Sequence, residues 1–207
     1  VKPLLGDDLS IAAVNAPNSC VVSGTHEAVE ELEGQLQSLY PNVFPKRLHT
    51  SHAFHSKMME PILEQFQREV AAVQWNEPKI PFISGVTGTW ITAEDVQSPG
   101  YWTRQLREAV RFSDGITELM TDPNYVYLEV GPGNSLTVLA KAHTENPQDA
   151  NNPIYSSVRH IKQNEDDCAV LLKALGNLWL SGVPIDWDDF YKNETRVRVP
   201  LPAYPSE

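Results

Sequence analysis

The sequence predicts an α/β fold, because patterns typical of strands alternate with patterns typical of helices along most of the chain. Two stretches carry the clearest signals. Residues 125–131, YVYLEVG, form an almost continuous apolar run of the kind found in buried strands, and a glycine-rich turn follows it. Residues 9–24 hold two β-rich runs separated by APNS, and this pattern is typical of a hairpin.

The first fifty residues are predicted to form a small α+β unit. Thr25 is placed to cap a helix that runs to about residue 40, because apolar residues recur there every three or four positions. Residues 43–48, VFPKRL, are predicted to be a further short strand. We therefore expect residues 8–49 to form a three-stranded sheet with one helix, separate from the remaining α/β portion.

Helix and strand patterns continue to alternate through the middle of the chain. The predicted elements are a helix over 61–73, a strand over 80–86, a helix over 101–110, a helix capped by Ser113 that reaches Met120, the strand over 125–131, a helix over 136–143, a strand over 154–158 and a helix after Asn164. From residue 182 prolines and aromatic residues replace any periodic pattern, which indicates an extended segment or a linker.

Composition and the length of the apolar runs argue against two kinds of partner. The formal net charge of -11 disfavours a nucleic-acid partner, because binding to a phosphate backbone needs clustered lysine and arginine. No apolar run approaches the ~20 residues of a membrane-spanning helix, so no membrane partner is expected. The two cysteines, Cys20 and Cys168, form neither a metal-binding spacing nor a disulfide framework, which favours a reducing, cytoplasmic location. The chain begins without methionine, which suggests a fragment of a longer protein.

Three histidines, His49, His52 and His55, lie three residues apart in the stretch RLHTSHAFHSKMMEP. Histidine suits proton transfer near neutral pH, so one of them is a candidate general base. The spacing alone leaves two alternatives open, a metal site and a purely structural role. The turn at residues 131–133, GPG, is also ambiguous, since such a turn can either cradle phosphate or let a strand and a helix pack closely.

Five motifs occur in an order that resembles one family. They are AAVNAPNSCVVSG, HTSHAFHSKMMEPILEQF, PFISGVTG, YWTRQLREAVRF and YLEVGPGNSLTVLAK. Together they resemble the acyltransferase domain of modular type I polyketide synthases and the related malonyl-CoA:acyl-carrier-protein transacylase. The resemblance implies the C-terminal part of an α/β-hydrolase-like large subdomain over residues 51–181 and an incomplete ferredoxin-like small subdomain over 1–50. It also implies a linker that follows the acyltransferase domain over residues 182–207.

The resemblance assigns roles to four residues of this sequence. His55, the second histidine of the HAFH motif, is implied to be the general base that pairs with a serine. Gln105, in the YWTRQL helix, is implied to orient the His55 ring. His52 and Phe54 match the version of the motif that selects malonyl groups, and a bulky Phe54 would disfavour an α-methyl branch.

The implied reaction moves malonyl from coenzyme A to a serine, and then to the phosphopantetheine thiol of an acyl carrier protein. The expected partners are acyl-CoA, the carrier protein and the adjacent ketosynthase and other synthase domains, and no bound cofactor or metal is expected. The family holds its serine in a GHSxG elbow, yet no GxSxG pattern occurs in this sequence. The isolated chain is therefore expected to be inactive. Two alternatives are a non-catalytic docking module of the same shape and a metal-dependent hydrolase that uses the three histidines.

Overall fold

The computed structural model describes residues 1–144, 152–197 and 199–202 of the chain. Its regular elements in these ranges are, in chain order, β1 (Leu9–Ala16), β2 (Ser19–Gly24), α1 (His26–Leu39), α2 (Glu60–Ala71), α3 (Ala93–Gln97), α4 (Pro99–Arg107), α5 (Phe112–Leu119), β3 (Tyr127–Glu129), α6 (Ser135–Lys141), β4 (Ile154–Ser156), α7 (Asp167–Leu180) and α8 (Trp187–Phe190). Helices and strands are mixed along the chain, so the coarse α/β prediction agrees with the structure. The ferredoxin-like and hydrolase-like subdomain descriptions stay predictions.

The N-terminal hairpin and its helix form as predicted. Strands β1 and β2 pair antiparallel across the APNS turn. The Thr25 hydroxyl accepts a hydrogen bond from the Ala28 N–H at 3.2 Å, which satisfies one of the amide groups left without a partner at the start of α1. Local turn and capping chemistry is therefore enough to determine these elements.

The predicted third strand, residues 43–48, is wrong. This stretch has no regular structure, and Phe44 is 87% exposed. The Arg47 guanidinium in this stretch binds the Glu33 carboxylate of α1, with Nε and Nη2 at 2.9 and 2.6 Å from its oxygens. A strand forms only when neighbouring backbone groups pair with it, and no described strand lies beside residues 43–48.

The hairpin is also not separate from the rest of the molecule, contrary to the prediction. The Val110 N–H donates to the Ala12 carbonyl, and the Val14 N–H donates to the Val110 carbonyl, each at 2.9 Å. Through these two hydrogen bonds Val110, in the segment between α4 and α5, pairs with Ala13 of β1 in an isolated parallel bridge. The small Ala12 and Ala16 side chains are buried, which is consistent with close packing on this side of the strand.

A layer of aromatic side chains joins the residues around α2 and α4. The rings of Trp75 and Trp102 stack at 4.5 Å, and Tyr101 meets Trp102 edge-on at 5.2 Å. The Tyr101 hydroxyl lies 2.8 Å from the Ser84 hydroxyl, and both residues are buried. Helix α4 is therefore held against α2 on one side and against the turn that contains Ser84 on the other.

The predicted strand over residues 80–86 is also wrong, because most of this segment has no described neighbouring strand with which to pair. The segment makes one isolated antiparallel bridge, between Ile83 and Trp90, and otherwise turns back on itself. Ser84 organises this turn, because its hydroxyl accepts the N–H groups of Val86 and Thr87, each at 3.1 Å. Side-chain bonds of this kind replace strand pairing with turn geometry.

The second sheet is a short parallel pair of strands, β3 and β4. The predicted buried strand over residues 125–131 is reduced to Tyr127–Glu129, and Val130 is 83% exposed. Ile116, Ala140 and Ile154 form the core beneath it. The residues on either side of this short strand do not continue the ladder with β4, so the apolar run extends beyond the paired residues.

The C-terminal region begins with α7, where the predicted helix is confirmed. The Asp166 carboxylate caps α7 by accepting the Ala169 N–H at 3.0 Å. Among the described residues after 182, the chain is irregular apart from the one-turn helix α8, whose Trp187 ring stacks against the Tyr191 ring. Residue 198 and residues 203–207 of the predicted linker lie outside the described residues. No described helix is long and apolar enough to cross a membrane.

The chain exposes far more surface than a compact monomer of its size. Its accessible area is 15352 Å², whereas a folded globular protein of this length exposes about 9,700 Å². Many of the exposed groups are large and apolar, among them Ile80, Val130 and Leu180. Large apolar side chains exposed in such numbers are typical of surfaces that another part of a protein covers.

The Ser84 turn yields a stability prediction. Ser84→Ala removes the acceptor for two N–H groups and the partner of the Tyr101 hydroxyl in a buried site, so we expect the free energy of unfolding to fall by about 1–3 kcal/mol. Denaturant unfolding monitored by tryptophan fluorescence measures the change. Thr89→Ala, in the exposed part of the same turn, is the matched control and should change it by less than about 0.5 kcal/mol. Equal effects of the two substitutions would contradict this account of the turn.

Candidate active site

His55 lies in a tight loop that leads into α2. The neighbouring Ser56 is buried, and its hydroxyl donates to the Ala53 carbonyl at 2.6 Å and accepts the Met58 N–H at 3.2 Å. These bonds start a 3₁₀ turn, Lys57–Met59, that anchors the buried Met59. His55 itself has a φ angle of 60°, in the left-handed region that residues other than glycine adopt at a cost. Backbone strain of this kind persists where surrounding contacts hold it, commonly at functional sites.

The end of α4 holds the half-buried His55 through two backbone carbonyls. The His55 N–H donates to the Leu106 carbonyl at 3.3 Å. The ring nitrogen Nδ1 lies 2.9 Å from the Glu108 carbonyl oxygen. Because a carbonyl oxygen can only accept, Nδ1 carries the proton, and the lone pair of the neutral ring is on Nε2. Within the described part of the chain, Nε2 has no hydrogen-bond partner.

Glu108 is itself held firmly at the C-terminus of α4. Its N–H donates to the Arg104 carbonyl at 2.7 Å, and its carboxylate accepts from the Arg104 guanidinium at 2.9 and 3.3 Å. The bond to Glu108 is also the main reason that the pKa of Arg104 is raised. The carbonyl that faces His55 therefore belongs to a residue whose backbone and side chain are both restrained.

No hydrogen bond joins Gln105 to the His55 ring among the described residues, and the ring nitrogen Nδ1 is bonded to the Glu108 carbonyl. The Gln105 amide lies instead over Gly85, where an added Cβ would stand 3.1 Å from both its oxygen and its nitrogen. Glu108, three residues further along, supplies the orienting carbonyl. Sequence reasoning missed Glu108 because every residue carries a backbone carbonyl, so no residue type identifies it. The role of Gln105 in function stays a prediction.

His52 and Phe54 lie together on the exposed side of the loop. Their rings meet edge-on at 5.9 Å, and the His52 Nδ1 is 3.0 Å from the Ser51 hydroxyl. His49 is exposed as well. In residues 1–144, 152–197 and 199–202, no group of three or more His, Cys, Asp or Glu side chains is arranged to hold a metal ion. The three histidines predicted as a possible metal site therefore do not converge.

At the GPG turn, a carboxylate of the chain itself binds the N–H groups that a phosphate would need. Gly133 adopts a φ angle of 94°, which glycine tolerates, and this lets the chain turn sharply from β3 into α6. Glu129 then reaches the start of α6 and accepts the N–H groups of Leu136 and Thr137 at 3.1 and 2.8 Å. A phosphate would need these same N–H groups, so the packing interpretation of the turn is favoured.

The family model described as "Acyl transferase domain" matches residues 2–184 of the chain. The chain belongs to this family. It is 34% identical to a phenolphthiocerol/phthiocerol polyketide synthase protein of Mycobacterium tuberculosis over 99% of its own length and 13% of that protein. The acyltransferase domain of ZmaA superposes with a TM-score of 0.80 and 38% identity, over 94% of this chain and 43% of that one. The acyltransferase domain of SpnD superposes with a TM-score of 0.80 and is 40% identical, over 88% of this chain and 43% of that one.

These relatives identify the sequence as an acyltransferase domain of modular type I polyketide synthases. The chain spans less than half the length of the solved acyltransferase domains and about an eighth of the mycobacterial synthase protein. The overall resemblance stated from the five motifs is confirmed. The roles of individual residues are not tested by these matches.

The acyltransferase chain holds a second serine–histidine contact that sequence reasoning missed. Ser113 was predicted to cap α5, but α5 begins at Phe112 without a side-chain cap. The Ser113 hydroxyl instead lies 2.8 Å from the His143 Nε2, and the His143 Nδ1 donates to the Leu139 carbonyl at 2.9 Å. Ser113 is only 8% exposed, so this pair ties α5 to the end of α6 rather than presenting a nucleophile.

Glu129 yields a prediction about pH dependence. Burial raises the pKa of its carboxyl group, but the hydrogen bonds from Thr137 and Leu136 outweigh burial and leave the pKa below its ordinary value. A carboxyl group with a lowered folded-state pKa stabilises the fold above its unfolded pKa of about 4.3, and that contribution is lost as pH falls through the folded-state value. Glu129→Gln should therefore reduce the free energy of unfolding at pH 7, and the difference from the unsubstituted chain should shrink below about pH 5.

Urea unfolding between pH 7 and pH 3 measures this difference. Glu69→Gln removes an exposed carboxylate of α2 and serves as the control. If the difference in free energy of unfolding between the unsubstituted chain and Glu129→Gln stayed constant over that pH range, the lowered pKa of Glu129 would be contradicted.

Proposed function

We propose that this chain supplies the general base of a polyketide synthase acyltransferase, with His55 in that role. One observation supports the assignment above the others. The bond from Nδ1 to the Glu108 carbonyl leaves Nε2 as the basic nitrogen of a ring that is oriented but only half-buried. A general base needs both an orienting partner and access to the proton that it removes.

The proposed reaction has two half-reactions that use the same nitrogen. A serine hydroxyl attacks the thioester carbonyl of the acyl-CoA while His55 Nε2 takes its proton, and the imidazolium then protonates the departing coenzyme A thiolate. In the second half-reaction the phosphopantetheine thiol of an acyl carrier protein gives its proton to Nε2 and attacks the serine ester. The imidazolium returns the proton to the serine oxygen. This chemistry requires no metal or bound cofactor.

The serine is proposed to come from outside these 207 residues, since the sequence contains no GxSxG elbow. The large exposed apolar surface supports a chain that works against a further part of the same domain. We propose residues 1–50 and 51–181 as parts of the small and large subdomains, and residues 182–207 as the linker that follows them. The acyl carrier protein and the ketosynthase are the proposed protein partners.

The proposed extender unit is malonyl. The exposed pair of His52 and Phe54 adjoins His55, where an acyl chain bound to the serine would lie. The related SpnD domain was solved in complex with 2-(pent-4-yn-1-yl)malonyl, a malonyl group with a large α branch, so the family as a whole does not exclude branched malonyl groups and the preference proposed here rests on Phe54. A phenylalanine ring beside the acyl group would oppose an α-methyl branch, at a discrimination of about 1–3 kcal/mol for one methyl group.

The function is tested first by acyl labelling. Incubated with radiolabelled malonyl-CoA, the chain alone should take up no covalent label, because it lacks the elbow serine. The same chain joined to a segment that carries the serine elbow should become labelled and pass the label to an acyl carrier protein. His55→Ala in the joined protein should lower the transfer rate by about 10²–10⁴-fold or more.

His49→Ala is the matched control, since it removes an exposed histidine of the same loop to which no role is assigned. Stoichiometric label on the chain alone, located by peptide mapping, would overturn the proposal, and label at Ser113 would transfer the role of nucleophile to the pair of Ser113 and His143. A joined protein that keeps full transfer with His55→Ala would favour a non-catalytic docking module.

Substrate choice gives a second prediction. Phe54→Ser in the joined protein should raise the rate of methylmalonyl relative to malonyl transfer by roughly 10–200-fold, because the ring that opposes the methyl branch is gone. Competition between the two labelled thioesters in one reaction measures the ratio. Phe82→Ser, which truncates another exposed phenylalanine, is the control. An unchanged ratio in the Phe54 variant would remove this residue from the selectivity proposal.

A further inference from the structure

The end of α4 contacts the His55 segment through three consecutive residues. Leu106 accepts the His55 N–H through its carbonyl, and Glu108 accepts the His55 ring through its carbonyl. Between them, Arg107 reaches the same segment through its side chain, which binds Glu60 at the start of α2. Two of these contacts are made by backbone, so only the middle one depends on the identity of its residue.

The contact between Arg107 and Glu60 is a close tertiary ion pair. The guanidinium nitrogens Nε and Nη2 lie 3.0 and 2.9 Å from the same carboxylate oxygen of Glu60. The Arg107 side chain is 26% exposed and the Glu60 side chain 54%, so the arginine is partly shielded from water. The arginine lies in the last turn of α4 and the glutamate in the first turn of α2, the ends at which the two helix dipoles favour these charges.

The position of this pair matters because His55 is strained. Its left-handed backbone conformation is unfavourable unless neighbouring contacts maintain it. Glu60 follows His55 by five residues, and the buried Met59 lies directly before Glu60. An ion pair at Glu60 therefore holds the far end of the loop against α4, while the two carbonyls hold His55 itself.

We propose that Arg107 is a positioning residue for His55, and that its pairing with Glu60 keeps the His55 ring on the Glu108 carbonyl and so in the Nδ1–H tautomer. The importance of this tautomer for acyl transfer rests on the proposed function. The tautomer itself can be measured without any activity. Residues that act through such a contact change the geometry of the base without touching the substrate.

The tautomer is read at pH 8 from two-bond ¹H–¹⁵N correlations of the histidine rings in the full 207-residue chain labelled with ¹⁵N-histidine. His55→Gln assigns the His55 signals by their loss. His143 is an internal reference, because its Nδ1 donates to the Leu139 carbonyl and its ring holds the same tautomer in another part of the fold. The unsubstituted chain should show the Nδ1–H pattern at both histidines.

Arg107→Gln should move the His55 signals from the Nδ1–H pattern to that of mixed tautomers while the His143 signals stay in place. Glu60→Gln removes the charge of the more exposed partner of the same ion pair and should have the same effect. Arg68→Gln removes an exposed arginine whose carboxylate partner lies within α2, so it should leave both histidines unchanged. The charge-swapped pair, Arg107→Glu with Glu60→Arg, should restore part of the Nδ1–H pattern at His55, because it forms the ion pair again although both charges then oppose the helix dipoles.

If Arg107→Gln and Glu60→Gln both keep His55 in the Nδ1–H tautomer while His143 is intact, the proposal is overturned. If Arg107→Gln unfolds the chain, His143 also loses its pattern, and Glu60→Gln then decides the question. In the joined acyltransferase we expect Glu60→Gln to lower kcat by about 10–100-fold with little change in KM, since the base is misplaced rather than the substrate. A tautomer shift with no loss of transfer would instead refute the role of His55 as base and leave its positioning by Arg107 standing.

Discussion

The final carbonyl groups at the C-terminal end of α4 have no partners within the helix, and the arrangement of the candidate site depends on how they are satisfied. Two of them, at Leu106 and Glu108, accept hydrogen bonds from the backbone and ring of His55. The requirement of the helix end and the requirement of an oriented imidazole are thus met by the same contacts. The strained conformation of His55 follows, because only a tight loop brings both groups of one residue to one helix end.

Helix α4 can serve this role because its own position is over-determined. The stack of Trp75 on Trp102 holds one side of it, and the buried bond between Tyr101 and Ser84 holds another. Beyond its C-terminus the chain pairs with β1 through Val110, so the hairpin is attached to the same region. The loop that bears His55 is therefore positioned against a helix fixed on several sides, although the loop has little regular structure of its own.

In the proposed reaction this chain supplies His55 as the base, and the serine is proposed to come from a further part of the domain. The chain accounts for the orientation of the base and for the side chains beside it, while its accessible surface of 15352 Å² is well above that of a compact protein of its size. Apolar groups that remain exposed here are consistent with a fold whose core is completed by further chain.

The sequence by itself determined the elements whose signals are local. Thr25 and the turn after β1 specify the hairpin and α1, and Asp166 caps α7, because caps and turns depend on bonds between residues a few positions apart. The ordered motifs also identified the family and drew attention to His55. Tertiary structure alone decided that residues 43–48 form no strand and that Glu108, not Gln105, meets the His55 ring. Strand pairing requires a neighbour from elsewhere in the fold, and a backbone carbonyl is the same in every residue, so neither outcome is encoded in a local pattern of side chains.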